Sequence, residues 1–339
     1  MSLPSISSLA EIPALIEALP AADAAAAEAA RARQNSLTKP PGSLGRLEQL
    51  AEFMATWRGT GRPEIWRAQA LVFAGNHGIC AQGVNPYPQE VTAQMVANFE
   101  SGGAAINQLC AVNGADLTVI ALELGRPTAD FTQGPAMSET DCLDAFWQGA
   151  SAVDEGADVL VLGEMGIGNS TVAAALASAC FGGPVAEWVG PGTGSDKAGI
   201  TRKIDAIERG LKRHEALLGN PMAILAALGG REQAAICGAV MAARAARIPV
   251  ILDGFICTAA AAVLYAADKR LLDHCLVGHT SAEPGHRKLL AAIHKRPVLE
   301  FDMRLGEGSG AALALGILRA ALACHNGMAT FGEAGVSEA

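Results

Sequence analysis

The chain has 339 residues, of which 50% are hydrophobic, 17% charged and 4% aromatic, with a formal net charge of -9. That much apolar surface offsets chain entropy and excludes disorder. An acidic, aromatic-poor chain without a Lys/Arg run excludes nucleic acid as a partner, because affinity there comes from cationic contacts to phosphate.

The first sixty residues read helical. Met1 to Pro20 lacks a basic region and does not read as a secretory signal. Ala21 to Arg33 is an alanine-rich helix. Thr38-Lys-Pro-Pro-Gly-Ser43 breaks it, and Leu44 to Trp57 resumes with apolar residues at helical spacing. Beyond them, short β-rich apolar runs alternate with longer helical ones. These runs are Ala70 to Ala74, Leu117 to Leu122, Asp158 to Leu162, Pro249 to Leu252, Cys275 to Val277 and Val298 to Phe301. Each is too short for a helix and reads as buried on both faces, as parallel strands are. The expected fold is α/β: a doubly wound, mainly parallel sheet with helices on both faces. Gly310 to Cys324 is a further Ala/Leu helix, and the last dozen residues read as frayed. No apolar run reaches about 18 residues, so no membrane span is expected. Eight scattered cysteines without a CxxC pair read as reduced residues of a cytoplasmic protein.

Ligands of open α/β sheets bind beyond the carboxyl ends of the strands, and those ends are glycine-rich here. Asp158 to Leu162 runs into Gly163-Glu-Met-Gly-Ile-Gly-Asn-Ser-Thr171 and a helix. Gly166 and Gly168 let backbone amides approach a ligand, and Ser170 or Thr171 can cap the helix, whose free N–H groups favour an anion. The plain alternative is a glycine turn with a cap, but Glu164 beside an anion site asks for a purpose. Gly190-Pro-Gly-Thr-Gly-Ser-Asp196 is a second such loop. There Gly192, Thr193 and Gly194 are candidates, and Lys203 could reach back, although alone it reads as a solvated helix face.

Glu307 lies between glycines in Arg304-Leu-Gly-Glu-Gly-Ser-Gly310. Burial raises its pKa and a helix start lowers it, a combination that suits a general base. Spacing alone leaves a solvated loop glutamate equally open. His77, after the first strand, reads as structural. Tyr87 and Met95 suit a flat aromatic pocket or simple core packing. His274, Cys275, His279 and His286 lack metal-site spacing, so no metal and no cofactor are expected. Ser281 is a candidate phosphate donor, and the Asp253-Gly254 turn a candidate for sugar hydroxyls. A Walker loop and a G-x-S-x-G elbow are absent. Half of a dinucleotide fingerprint at Gly166 to Thr171, with Glu187 about 20 residues on, keeps an NAD-dependent dehydrogenase open as an alternative. A non-catalytic nucleotide-binding module is another.

Taken together these segments resemble the nicotinate-nucleotide:dimethylbenzimidazole phosphoribosyltransferase family. The resemblance runs from Leu37-Thr-Lys-Pro-Pro-Gly-Ser-Leu-Gly-Arg-Leu47 through Tyr87-Pro-Gln-Glu-Val-Thr-Ala93, Leu252-Asp-Gly-Phe255 and Gly278-His-Thr-Ser-Ala-Glu-Pro-Gly285 to Arg304–Gly310. It implies a large Rossmann-like α/β domain over 60–303, a small helical domain from 1–59 and 304–339, and a homodimer. It implies Glu307 as catalytic base and Glu164 as a second active-site carboxylate. Phosphoribose would be held by Gly166, Gly168, Asn169, Ser170, Gly192, Thr193, Gly194, Lys203, Asp253 and Ser281. Tyr87, Met95, Met165 and Leu305 would hold the base. The implied substrates are nicotinate mononucleotide and a benzimidazole, joined without magnesium because no pyrophosphate leaves.

Overall fold

The structure is a computed structural model that describes residues 3–337. The chain opens with a 3-10 segment, Leu9–Glu17, then helices α1 (Ala24–Ser36) and α2 (Arg46–Arg58). Strand β1 (Ala68–Ala74) is followed by α3 (Glu90–Glu100) and α4 (Ala105–Asn113), then β2 (Ala115–Ala121) and α5 (Glu139–Ser151). Strand β3 (Val159–Met165) leads to α6 (Asn169–Phe181), α7 (Lys197–Arg213), α8 (Pro221–Leu228) and α9 (Arg231–Ala245). Then come β4 (Val250–Leu252), α10 (Phe255–Ala267), β5 (Cys275–Val277), α11 (Pro284–Ala292), α12 (Ser309–Gly327) and α13 (Phe331–Ala334).

All strand pairs are parallel, in the order β2-β1-β3-β4-β5. This is a doubly wound order with its switch point between β1 and β3. Side chains alternate across each strand, so the sheet feeds two cores. Leu71, Phe73, Leu160, Leu162 and Leu252 join residues of α5, α6, α8, α9 and α10 on one face. Val72, Val159, Val161, Ile251 and Leu276 join residues of α2, α4 and α12 on the other. The connections running from β2 towards β5 place their helices on the first face, as right-handed crossovers demand. The second face over β3 and β4 is therefore left to α12, which returns from the carboxyl end to cover it, with α2 packed on α12. Leu9, Ile12 and Ile16 of the 3-10 segment pack into the first core, against α8 and the Lys269–Leu272 turn.

Four expectations need correction. Strand β3 reaches Met165, because Phe73 and Ala74 of β1 pair with Glu164 and Met165; Glu164 is thus a strand residue and not a loop residue. Strand β2, at the sheet edge, is not buried on both faces: half-buried and exposed residues alternate over Ala115–Val119, and none of its residues is fully buried. Val298 to Phe301 forms no strand, only a parallel bridge between Leu299 and His279. It runs mainly beside Gly278–Thr280, past the end of β5, and Pro297 supplies no N–H to a ladder. The last dozen residues, as far as 337, are not frayed. Thr330 bridges Leu37, and its hydroxyl and the Glu333 carboxylate cap α13 reciprocally.

Candidate active site

At a switch point the connections leave β1 and β3 in opposite directions and open a crevice beyond their carboxyl ends. Two cavities lie in this region. The first is lined by Glu164, Met165, Gly166, Gly168, Asn169 and Ser170 after β3, by Gly192 and Thr193, and by Lys203, Asp253 and Ser281. The second is lined by Tyr87, Val91, Met95, Leu305 and Glu307. Met165, Ile167, Thr193, Arg304 and Leu305 wall both. Of the catalytic, phosphoribose and base residues that the resemblance implies, Gly194 alone lines neither; the space around it is open.

Helix α7 is amphipathic, and Lys203 sits on its buried face, 2% exposed, not on the solvated one. Its Nζ donates to the Gly190 carbonyl (3.1 Å) and to Ser170 Oγ (3.2 Å). Burial lowers the ammonium pKa, and the Glu283 carboxylate works against that. Glu283 Oε1 accepts from the Gly192 N–H (2.9 Å), while Arg304 Nη1 donates to the Gly192 carbonyl (3.0 Å). The glycine loop is thus gripped at both its amide and its carbonyl. With the start of α6 alongside, this end of the crevice joins two cations to a helix N-terminus, a setting for an anion.

The carboxylates occupy the other side. Glu164 is 4% exposed and accepts from Asn169 Nδ2. Burial pushes its pKa well above the ordinary value; the charges of Asp253 and Glu232 add to that, and the Asn169 hydrogen bond opposes it. Glu307 is 6% exposed with φ +64, and its Oε2 has no hydrogen-bond partner among the described residues. Burial and then the Asp253 charge raise its pKa. Asp253 itself accepts from the Gly308 and Ala311 amides. Tyr87 and Leu305, about half exposed, form the rim of the second cavity, which sets aside core packing for Tyr87. His77 is wholly buried, with Nε2 3.0 Å from Glu232 Oε1, and lines neither cavity.

Arg304 and Glu283 were not among the expected site residues, although both stand inside the quoted motif segments. A charged residue within a glycine-rich segment at a strand end is the signal that could have found them. Asn85 and Phe255 also line the first cavity and carry no such signal. Glu187, the acid expected on a dinucleotide ribose, pairs with Lys288 away from both cavities, so the dehydrogenase alternative loses its anchor.

A switch-point crevice that joins a cationic glycine cradle to an apolar slot holding a carboxylate with one oxygen unpartnered among the described residues defines an enzyme for a phosphorylated small molecule and a flat apolar partner. A family model described as phosphoribosyltransferase matches residues 19–336, and the chain belongs to that family. It is 67% identical over 332 residues to the nicotinate-nucleotide–dimethylbenzimidazole phosphoribosyltransferase of Rhodobacter capsulatus, covering 98% of this chain and 99% of that protein. To the protein of the same name from Novosphingobium aromaticivorans it is 58% identical, covering 98% of each. Among solved structures, CobT from Thermus thermophilus superposes with a TM-score of 0.88 at 42% identity, covering 93% of this chain and all of that one.

Proposed function

We propose that this enzyme transfers phosphoribose from nicotinate mononucleotide to 5,6-dimethylbenzimidazole, or a related base. The products are nicotinate and α-ribazole 5'-phosphate, a precursor of the cobalamin lower ligand. The observation that carries the reading is Glu307: a buried carboxylate with one unpartnered oxygen, facing an apolar cavity whose wall is shared with the cationic one.

The donor is an N-glycosyl pyridinium, and nicotinate leaves as a neutral ring that needs no protonation. The benzimidazole attacks C1' through its unprotonated nitrogen, and its other N–H becomes acidic as the bond forms. Glu307 takes that proton, a role worth about 10²–10⁴-fold in rate. Attack from the face opposite the leaving nicotinate gives the α configuration. Lys203, Ser170 and Ser281, with the loops at Gly166–Gly168 and Gly192–Thr193, hold the 5'-phosphate. Glu164 faces the positive charge that develops on the ribose. The bound pyridinium favours its ionised form, against the burial that raises its pKa in the free enzyme. Tyr87, Met95, Met165 and Leu305 contact the base.

The same reading places the enzyme in the cytoplasm as a homodimer. The eight cysteines, all free, support a reducing compartment. It also divides the chain at 59/60 and 303/304, supported by the packing of α1 on α2 and of α2 on α12. Chromatography of the purified enzyme with nicotinate mononucleotide tests the reaction. Nicotinate should be released when dimethylbenzimidazole is added and not without it. No release with both substrates present would end the proposal.

A further inference from the structure

Asp253 directly follows β4 and is 1% exposed. Sequence reasoning offers it to sugar hydroxyls, yet both of its oxygens are already engaged by backbone. Oδ2 accepts from the Gly308 N–H (3.1 Å) and Oδ1 from the Ala311 N–H (2.9 Å). Those amides belong to the first turn of α12, where no intrahelical acceptor is available. Glu307 stands immediately before them in the left-handed region, φ +64, which a glutamate adopts only when its surroundings impose it. The second imposing surface is Gly163 on β3. A Cβ built there would lie 2.6 Å from the Glu307 carbonyl oxygen and 2.5 Å from the Gly308 nitrogen.

We propose that Asp253 is a positioning residue: it clamps the first turn of α12 against the sheet and thereby holds the Glu307 carboxylate at the second cavity. The inference rests on Glu307 being the base. The negative charge of Asp253 also favours the helix N-terminus it grips. The groups that face this pair are Glu164 on β3, His279 after β5 with Nε2 3.5 Å from Asp253 Oδ1, and Arg304 on the loop of Glu307. Glu232 stands behind Glu164, and His286 is in ring contact with His279. Of these, Asp253 is the charge that holds the Glu307 pKa up, next after burial.

Asp253→Asn keeps the shape and offers one acceptor where there were two. Steady-state kinetics should show kcat reduced about 10–100-fold, with KM for nicotinate mononucleotide within about 3-fold of the wild type. The acidic limb of the pH–rate profile should move to lower pH, because a like charge beside Glu307 is gone. In the Glu307→Gln background the same substitution should lower kcat no further, since it acts through Glu307. A residue that binds the ribose predicts the reverse. KM would rise, the acidic limb would stay, and the loss would multiply in the double variant; that pattern overturns the clamp. Ala311→Pro attacks the clamp from the other side. It removes one donated N–H in the first helical turn, where proline is tolerated, and leaves the carboxylate in place. It should give the same loss of kcat at constant KM, and it decides the matter if the Asn variant does not fold. A wild type that releases no nicotinate, or a Glu307→Gln variant with full turnover, would instead strike the reaction or the base, and leave a different record from either Asp253 result.

Discussion

At Glu307 the chain keeps a carboxylate in a place that disfavours its anion: buried, beside Asp253, with Oε2 unpartnered. The same features make it a better proton acceptor than a solvated glutamate. Glu307→Gln preserves size and removes the acceptor charge. Turnover should fall about 10²–10⁴-fold while calorimetric titration still shows nicotinate mononucleotide binding within about 2-fold; near wild-type turnover removes the assignment. Because the carboxyl pKa is raised, wild-type activity should decline with acid at a pH above the ordinary value of about 4.3, and the Gln variant should lose that limb. Lys203 makes a different kind of contact, one shared by bound substrate and transition state. Lys203→Met keeps the buried stem and deletes the charge. A charge-assisted hydrogen bond is worth about 1.5–3 kcal/mol, so KM for the nucleotide should rise at least about 10-fold with kcat less affected. An unchanged KM would mean that the ammonium does not meet the phosphate.

The strand end β3 and the loop before α12 form one unit, because Gly163 lies against the backbone of Glu307 and Gly308. All three atoms that an added Cβ would strike belong to backbone, so none can rotate away. Gly163→Ala should cost about 1–3 kcal/mol of stability and, by shifting the base on the order of 1 Å, about 10²-fold in kcat. Gly125→Ala, whose added methyl would meet nothing within 4 Å, is the control and should change neither. Thermal melts and initial rates on the two variants check this. This coupling was not legible in the sequence, where Gly163-Glu-Met165 has the composition of a loop. It is a strand because β1 supplies its partners, and nothing local announces that. The five strands that form were legible because short apolar runs between glycine-rich turns have few other ways to bury themselves. The Val298–Phe301 run looked the same but lies past the end of its neighbour. Lys203 illustrates the same limit at the site. A lysine in the early part of an amphipathic helix reads as solvated until the loop that consumes its protons is placed against it. The glutamate between glycines was legible as a candidate because backbone that crowded the side chain would show as bulk, and there was none.

Across the whole molecule, Glu164, Asp253, Glu283 and Glu307 are all buried at the carboxyl end of the sheet, and burial raises the pKa of each. Function here is set against stability. A carboxyl whose pKa is higher in the folded than in the unfolded chain binds more protons when folded. Its contribution to stability is full below about 4.3, the unfolded value, and is lost as pH rises through the folded one. His274, His286 and His325 oppose this, since burial lowers the pKa of each. His286, whose Nδ1 accepts from the Ser281 N–H, is pushed down to about 3 by burial, so the fold loses stability as pH falls below the unfolded value of about 6.5. A difference between two proteins cancels that opposing slope, since the histidines are common to both. Glu164→Gln retains an acceptor for Asn169 and can never ionise. The melting temperature of the variant minus that of the wild type should therefore grow more positive from pH 5 to pH 8. Each unit of displacement in the Glu164 pKa is worth about 1.4 kcal/mol. The variant should be the more stable protein at pH 8 and the poorer catalyst at every pH. A melting difference that stays flat over this range would mean that the Glu164 carboxyl feels no burial, and with it would go its role as a charge held ready for the cationic donor.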